Sequence, residues 1–155
     1  GEGGDISVGY DNWRKALEHV EDTGMRVLVE NTAGGKNSVA RYMDSIERLW
    51  EVIGHLNVGL CLDTCHTWAG GIPTIDAVKG FKKLVKKIDL IHFNDSKDGF
   101  ESSRDRHENL GKGKIPKEEL EYVIKNAKTD IIVETPNGPD AQKKDIAWIR
   151  RRLKK

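Results

Sequence analysis

The chain has little of what staples or anchors a protein. Only two cysteines, Cys61 and Cys65, occur in 155 residues. Their spacing is not the C-x-x-C of redox or zinc-knuckle motifs, and two plain thiols in a reducing cytoplasm are the expectation. Neither sign of charge is in excess. Twenty-six Lys and Arg stand against 25 Asp and Glu, a formal net charge of +1, so any nucleic-acid surface must be local. No apolar run approaches the roughly 20 residues of a membrane span. The start, Gly1-Glu2-Gly3-Gly4-Asp5, lacks the basic and apolar regions of a signal peptide. No internal repeat or low-complexity block stands out. Gly34-Gly35 and Gly111-Lys112-Gly113-Lys114 both miss the G-x-x-x-x-G-K-[ST] of a phosphate loop and read as loop glycines.

What is present suits a soluble globular chain: 37% hydrophobic and 33% charged residues, with length enough for a single domain over 1–155 and its core. Helical spacing of Trp13, Ala16, Leu17 and Val20 predicts a leading helix near 9–23, stopped by Gly24. A strand–helix phrase then recurs four times. Arg26–Glu30 reads as a strand, with a helix from an N-cap at Ser38 to about Gly54. Val58–Asp63 is the next strand, with a helix near 74–87. Asp89–Phe93 follows, then a polar loop over about 95–114 and a helix opening at Pro116. Asp130–Glu134 is the last strand, with a helix near 140–153. Short apolar strands alternating with helices imply an α/β fold with a helix-covered parallel sheet. Four units make half of a (β/α)8 barrel.

Each of the four strands ends in a group able to bind metal: Glu30, Asp63, His92 and Glu134. A lone acid at a strand end is usually a turn former or a cap. Four on neighbouring strands converge at the barrel mouth, where such folds place their chemistry. Three carboxylates brought together there cannot all stay ionised without cations. Asp105 and His107, two apart in an extended segment, face the same way, and His66 completes a second set. Alone, Asp105-Arg106-His107 reads as a solvated loop with a local salt bridge. A mixed histidine and carboxylate set without cysteine suits catalytic zinc, with manganese the alternative. His19 and His55 read as surface or packing residues. The basic tail, Arg150-Arg151-Arg152 with Lys154-Lys155, reads as a helix end complementing its dipole, with a phosphate contact as the alternative.

Five segments resemble, in order, the motifs of the endonuclease IV family: Glu30-Asn31-Thr32-Ala33-Gly34; Gly59 to His66, with Asp63-Thr64-Cys65-His66 at its end; His92-Phe93-Asn94-Asp95-Ser96-Lys97; Asp105-Arg106-His107 followed by Leu110-Gly111-Lys112-Gly113; and Glu134-Thr135-Pro136. The resemblance runs from about residue 25 to the end. It implies a zinc-dependent endonuclease of base-excision DNA repair, which cuts the phosphodiester 5′ to an abasic site and trims blocked 3′ ends. It also implies three zinc ions on a xylose-isomerase-like TIM barrel. Glu30 would bridge two of them, with Asp63, His92 and Glu134 on the second. His66, Asp105 and His107 would hold the third. Glu30 and Glu134 are the two carboxylates able to act on the nucleophile. Arg106 and Lys97 would meet DNA, Arg106 through its planar fork.

The family's first zinc needs two further histidines from an amino-terminal half barrel, so two of three sites are expected to be complete here. A half barrel would leave two open strand edges. Three situations follow: a fragment of a longer enzyme, one half of a split enzyme with an amino-terminal partner, or a homodimer. Two other functions share these residues, a xylose-isomerase-like sugar isomerase or epimerase and a non-catalytic metal-binding half barrel.

Overall fold

In the computed structural model, which describes residues 5–154, the chain runs through α1 (Ile6–Glu21), β1 (Val27–Glu30), α2 (Met43–Ile53), β2 (Val58–Asp63), α3 (Thr64–Gly70), α4 (Thr74–Leu84), β3 (Leu90–His92), β4 (Asp95–Ser96), β5 (His107–Glu108), α5 (Lys117–Ala127), β6 (Asp130–Ile132) and α6 (Gly138–Leu153). Residues 1–4, read above for a signal peptide, and Lys155 of the basic tail lie outside the described residues. Four strands form one parallel sheet in the order β1-β2-β3-β6, alternating with helices as the sequence predicts for half of a TIM barrel. Among the described residues, no helix is long and apolar enough to cross a membrane.

The two-residue period of the strands divides their side chains between two faces. Leu60, Leu62, Ile91 and Phe93 pack with Phe81, Ile88, Leu120 and Val123 into the main core beneath the helices. Val29 joins Leu17, Leu49, Ile53 and Tyr10 in a second cluster under α1 and α2. The alternate positions, Glu30, Asp63 and His92, therefore lie on the opposite face of the sheet, at its carboxyl end. Gly59 shares that face. A Cβ there would stand 2.3 Å from Asp89 Oδ2, whose carboxylate accepts the Leu60 N–H and pairs with Arg26.

Several boundaries differ from the sequence reading, each for a local reason. Ser38 does not cap α2; its hydroxyl bonds Thr32, and the helix starts five residues later at Met43. The intervening chain is committed elsewhere. Val39, Ala40 and Arg41 are buried, and Arg41 donates to the Gly70 carbonyl (3.1 Å) and to Ser103 Oγ (2.8 Å). The short α3 has no apolar period to betray it. Asp63 caps it by accepting the His66 N–H at 2.7 Å, and Gly71 ends it in the left-handed region at φ 95°. The polar loop over 95–114 contains the antiparallel pair β4–β5, with Asp95 opposite Glu108 and Ser96 opposite His107. Strand β6 ends at Ile132, so Glu134 stands two residues beyond it rather than at its end.

Candidate metal centre

Five elements and two loops carry the site. Glu30 and His92 end β1 and β3, and Asp63 ends β2 while capping α3. His66 sits in the first turn of α3, His107 opens β5, and Asp105 and Glu134 come from the loops before β5 and after β6. The structure brings all seven together. Glu30, Asp63, His92 and Glu134 each offer one ligand atom, and all four atoms lie within 4.8 Å of one another. Asp63, His66 and His107 form a second such group. Asp105 joins them, with its oxygens 3.1 Å from His66 Nε2 and 3.2 Å from His107 Nε2. Among the described residues, the cationic partners within ion-pair distance of these four carboxylates are all histidines of the same cluster. Among the described residues, no Lys or Arg pairs with them.

The imidazoles are oriented for coordination. His66 Nδ1 lies 2.8 Å from the Asn31 carbonyl and His107 Nδ1 lies 3.3 Å from the Glu134 carbonyl. Each Nδ1–H donates to a backbone oxygen, which leaves Nε2 with its lone pair, the arrangement of metal-bound histidine. Both Nε2 atoms are buried and make no hydrogen bond, although Asp105 oxygens approach both. The spacing without bonding geometry is what ligands of one ion show. Donors 2.0–2.1 Å from a tetrahedral zinc are roughly 3.3 Å apart. In the first group, His92 Nδ1 stands 3.1 Å from Glu30 Oε1 and 3.2 Å from Glu134 Oε2. The donor set fits a metal ion on both counts, charge and geometry.

The electrostatics express the same excess of negative charge. Burial raises the Asp63 carboxyl above its ordinary range. Burial pulls the His66 imidazole down, but Asp63, Asp105, the Asn31 carbonyl and Glu30 outweigh it, and the group titrates above a free histidine. Cys61 and Cys65 are both buried and unpaired, and burial pushes each thiol up to about 12. Both lie within ligand distance of histidines in the cluster, Cys61 of His92 and Cys65 of His107, but as protonated thiols.

Two asparagines that the sequence reading passed over hold the ligands in place. Asn31, beside Glu30, exchanges hydrogen bonds with the Asp63 backbone at 2.8 and 3.1 Å. Asn94, two residues after His92, donates to Asp63 Oδ2 at 2.7 Å and accepts the Glu134 N–H at 2.9 Å. Both side chains are buried. Their signal was present, since each lies inside a motif that also carries a ligand.

Of the two residues expected to meet DNA, Lys97 is exposed beside the site and pairs its backbone N–H with the Arg106 carbonyl at 2.9 Å. Arg106 is half exposed, and its fork engages Asp98 through Nε at 2.6 Å and through Nη2. His19 and His55 are exposed and belong to neither ligand group. In the basic tail, Arg152 stacks on Trp148 at 3.5 Å and pairs with Glu121 at 2.9 Å.

Comparison with known proteins bears on the fold and the family. The "Probable endonuclease 4" of Mycobacterium bovis (strain BCG / Pasteur 1173P2) is 49% identical over 148 residues, covering 96% of this chain and 58% of its own length. The crystal structure of endonuclease IV from Thermus thermophilus superposes with a TM-score of 0.75 at 29% identity, over 94% of this chain and 58% of that one. A D-tagatose 3-epimerase-like protein shares the fold, with a TM-score of 0.69 at 19% identity over 96% of this chain and 54% of that one. The chain thus spans just over half the length of the relatives it matches. The family model described as "Xylose isomerase-like TIM barrel" matches residues 4–152. With that match over nearly its whole length, its parallel sheet and its endonuclease IV likeness, the chain belongs to the xylose isomerase-like TIM barrel family.

Proposed function

We propose that this chain provides two zinc sites of a DNA-repair endonuclease that hydrolyses the phosphodiester 5′ to an abasic site and trims blocked 3′ ends. The observation that carries the reading is the pair of buried, unbonded Nε2 atoms of His66 and His107 set against Asp105. The family motifs supply the substrate, and the matched relatives are named as endonucleases. Glu30, Asp63, His92 and Glu134 hold one ion; His66, Asp105 and His107 hold the other. Glu30 is also free to reach a third ion whose remaining ligands come from outside this chain. Zinc, favoured over manganese by the three histidines, lowers the pKa of water toward about 7 and stabilises charge on the phosphate. Glu30 and Glu134 are the carboxylates placed to orient the attacking water or take its proton. Lys97 and Arg106 face the DNA backbone; Arg106 exchanges Asp98 for a phosphate oxygen when the substrate arrives.

The sheet supports a larger assembly. Strands β1 and β6 each pair on one side only among the described residues. Beside β6, a groove of about 590 Å³ lined by Ile131, Ile132, Val133, Ile146, Ile149 and Leu153 leaves Ile132 47% exposed. Further (β/α) units, on a longer chain or on a second one, complete the barrel there.

The test is incision of a duplex bearing one abasic site. The zinc-loaded chain is assayed alone and together with the part of an endonuclease 4 relative that it does not span. Cutting on the 5′ side, lost on chelation, is the expected result. Absence of cutting in both mixtures, with zinc bound, overturns the nuclease reading, and turnover of a ketose would replace it with the isomerase.

Zinc affinity is expected to fall as the pH drops. Coordination needs neutral imidazole, and His66 keeps its proton to a higher pH than free histidine. Below that raised pKa the zinc of the His66 group must displace a proton from His66; above it, none. Calorimetric titration in buffers of different ionisation enthalpy reads the protons released. A count that does not rise toward acid pH would remove His66 from the ligand set.

A further inference from the structure

Asp145 lies on α6, outside the seven ligands, and is buried. Its carboxylate accepts three hydrogen bonds from two separate segments. Oδ2 accepts from Thr135 Oγ1 at 2.6 Å and from Asn109 Nδ2 at 2.7 Å, and Oδ1 accepts the Leu110 N–H at 3.0 Å. Thr135 adjoins Glu134, a ligand of the first group. Asn109 and Leu110 follow His107, a ligand of the second. Asn109 extends the bridge by donating to the Pro136 carbonyl at 3.1 Å and accepting from Asn137 Nδ2 at 2.7 Å. Gln142, one turn before Asp145 on α6, donates to the Thr135 carbonyl at 3.0 Å. Where the two segments meet, His107 Nδ1 lies 3.3 Å from the Glu134 carbonyl.

We propose that Asp145 is a positioning residue that fixes the Glu134 segment and the His107 segment to each other, so that α6 sets the spacing between the two metal groups. The proposal rests on the metal reading above. A carboxylate suits the task because it accepts from three donors at once and is acceptor-only when ionised. A neutral amide at the same place would turn its NH2 toward at least one of those donors.

Zinc titration followed by 15N NMR of the histidine rings tests this on the full chain, because His92 reports the first group and His66 with His107 the second. In Asp145→Asn, zinc affinity is expected to fall about tenfold to a hundredfold at both groups, the range seen when an outer partner of a metal ligand is lost. Thr135→Val, which removes only the hydroxyl beside Glu134, is expected to weaken the His92 signal's response and spare the other two. That split keeps the proposal testable if Asp145→Asn folds poorly, since a loss of general packing would move all three rings alike. Wild-type affinity at both groups in Asp145→Asn, or equal weakening of both in Thr135→Val, overturns the proposal and leaves the metal reading intact. No zinc response in the wild-type rings overturns the metal reading and this proposal with it.

Discussion

Glu134→Gln is expected to slow incision at an abasic site by a factor on the order of 10³, the loss typical of removing one preorganised charged group from a site that stabilises a transition state. The fold should barely notice. The Glu134 side chain is 41% exposed, and its backbone is held independently by the Asn94 amide and by His107 Nδ1. Metal-free unfolding free energy should change by less than about 0.5 kcal/mol, as for other surface substitutions. Its direction is informative too. In the absence of metal, Glu30, Asp63 and Glu134 repel one another, so the amide relieves strain and the variant should unfold at equal or slightly higher denaturant concentration than the wild type. Undiminished cutting would remove Glu134 from the first group. Lost cutting with a large fall in stability would recast it as a structural residue.

The parts of this molecule that could be read from sequence share one property: their signal is local and periodic. Alternation of Val58–Asp63 gave both the strand and the face on which Asp63 emerges, and the parallel register places Asp63 beside His92 as the four strand–helix phrases imply. The leading helix starts three residues before the predicted position because Ile6, at its start, belongs to the same apolar stripe as Tyr10 and Trp13, packed on the second cluster, and it ends two residues before the predicted end. What stayed hidden depends on distant partners. Helix α3 starts where the strand-end carboxylate of Asp63 caps it by accepting the His66 N–H. Asn31 and Asn94 reach groups 31 or more positions away, and Asp145 ties Thr135, ten residues back, to Asn109 and Leu110, 35 and more away, which no periodicity encodes. Arg106 reads as a phosphate contact by type, yet in the folded chain its fork is satisfied by Asp98, eight residues back.

The glycine-rich run, a loop as the sequence predicts, carries the largest stability prediction. Gly111-Lys112-Gly113-Lys114 fails as a phosphate loop, but its backbone does enclose an anion. The buried Asp95 carboxylate accepts N–H bonds from Gly111 (2.9 Å), Gly113 (3.0 Å), Ile115 (3.1 Å) and its neighbour Ser96 (2.8 Å). Gly111 adopts φ 76°, and a Cβ on Gly113 would stand 2.3 Å from Asp95 Oδ1 and 2.4 Å from the Ser96 carbonyl. The run is therefore a nest of backbone donors built around an internal side chain, and it closes the far end of the segment that carries Asp105 and His107. Asp95→Asn keeps the volume and turns an NH2 toward two of the four donors. It is expected to cost about 3 kcal/mol of unfolding free energy, from leaving buried donors without an acceptor, read as a lower urea midpoint at unchanged slope. The same variant should lose zinc at the His66 and His107 group before the His92 group, because the loosened segment supplies ligands only to the former. A midpoint within experimental error of the wild type would show that Asp95 is an ordinary turn residue and that the β4–β5 pair alone holds His107 in place.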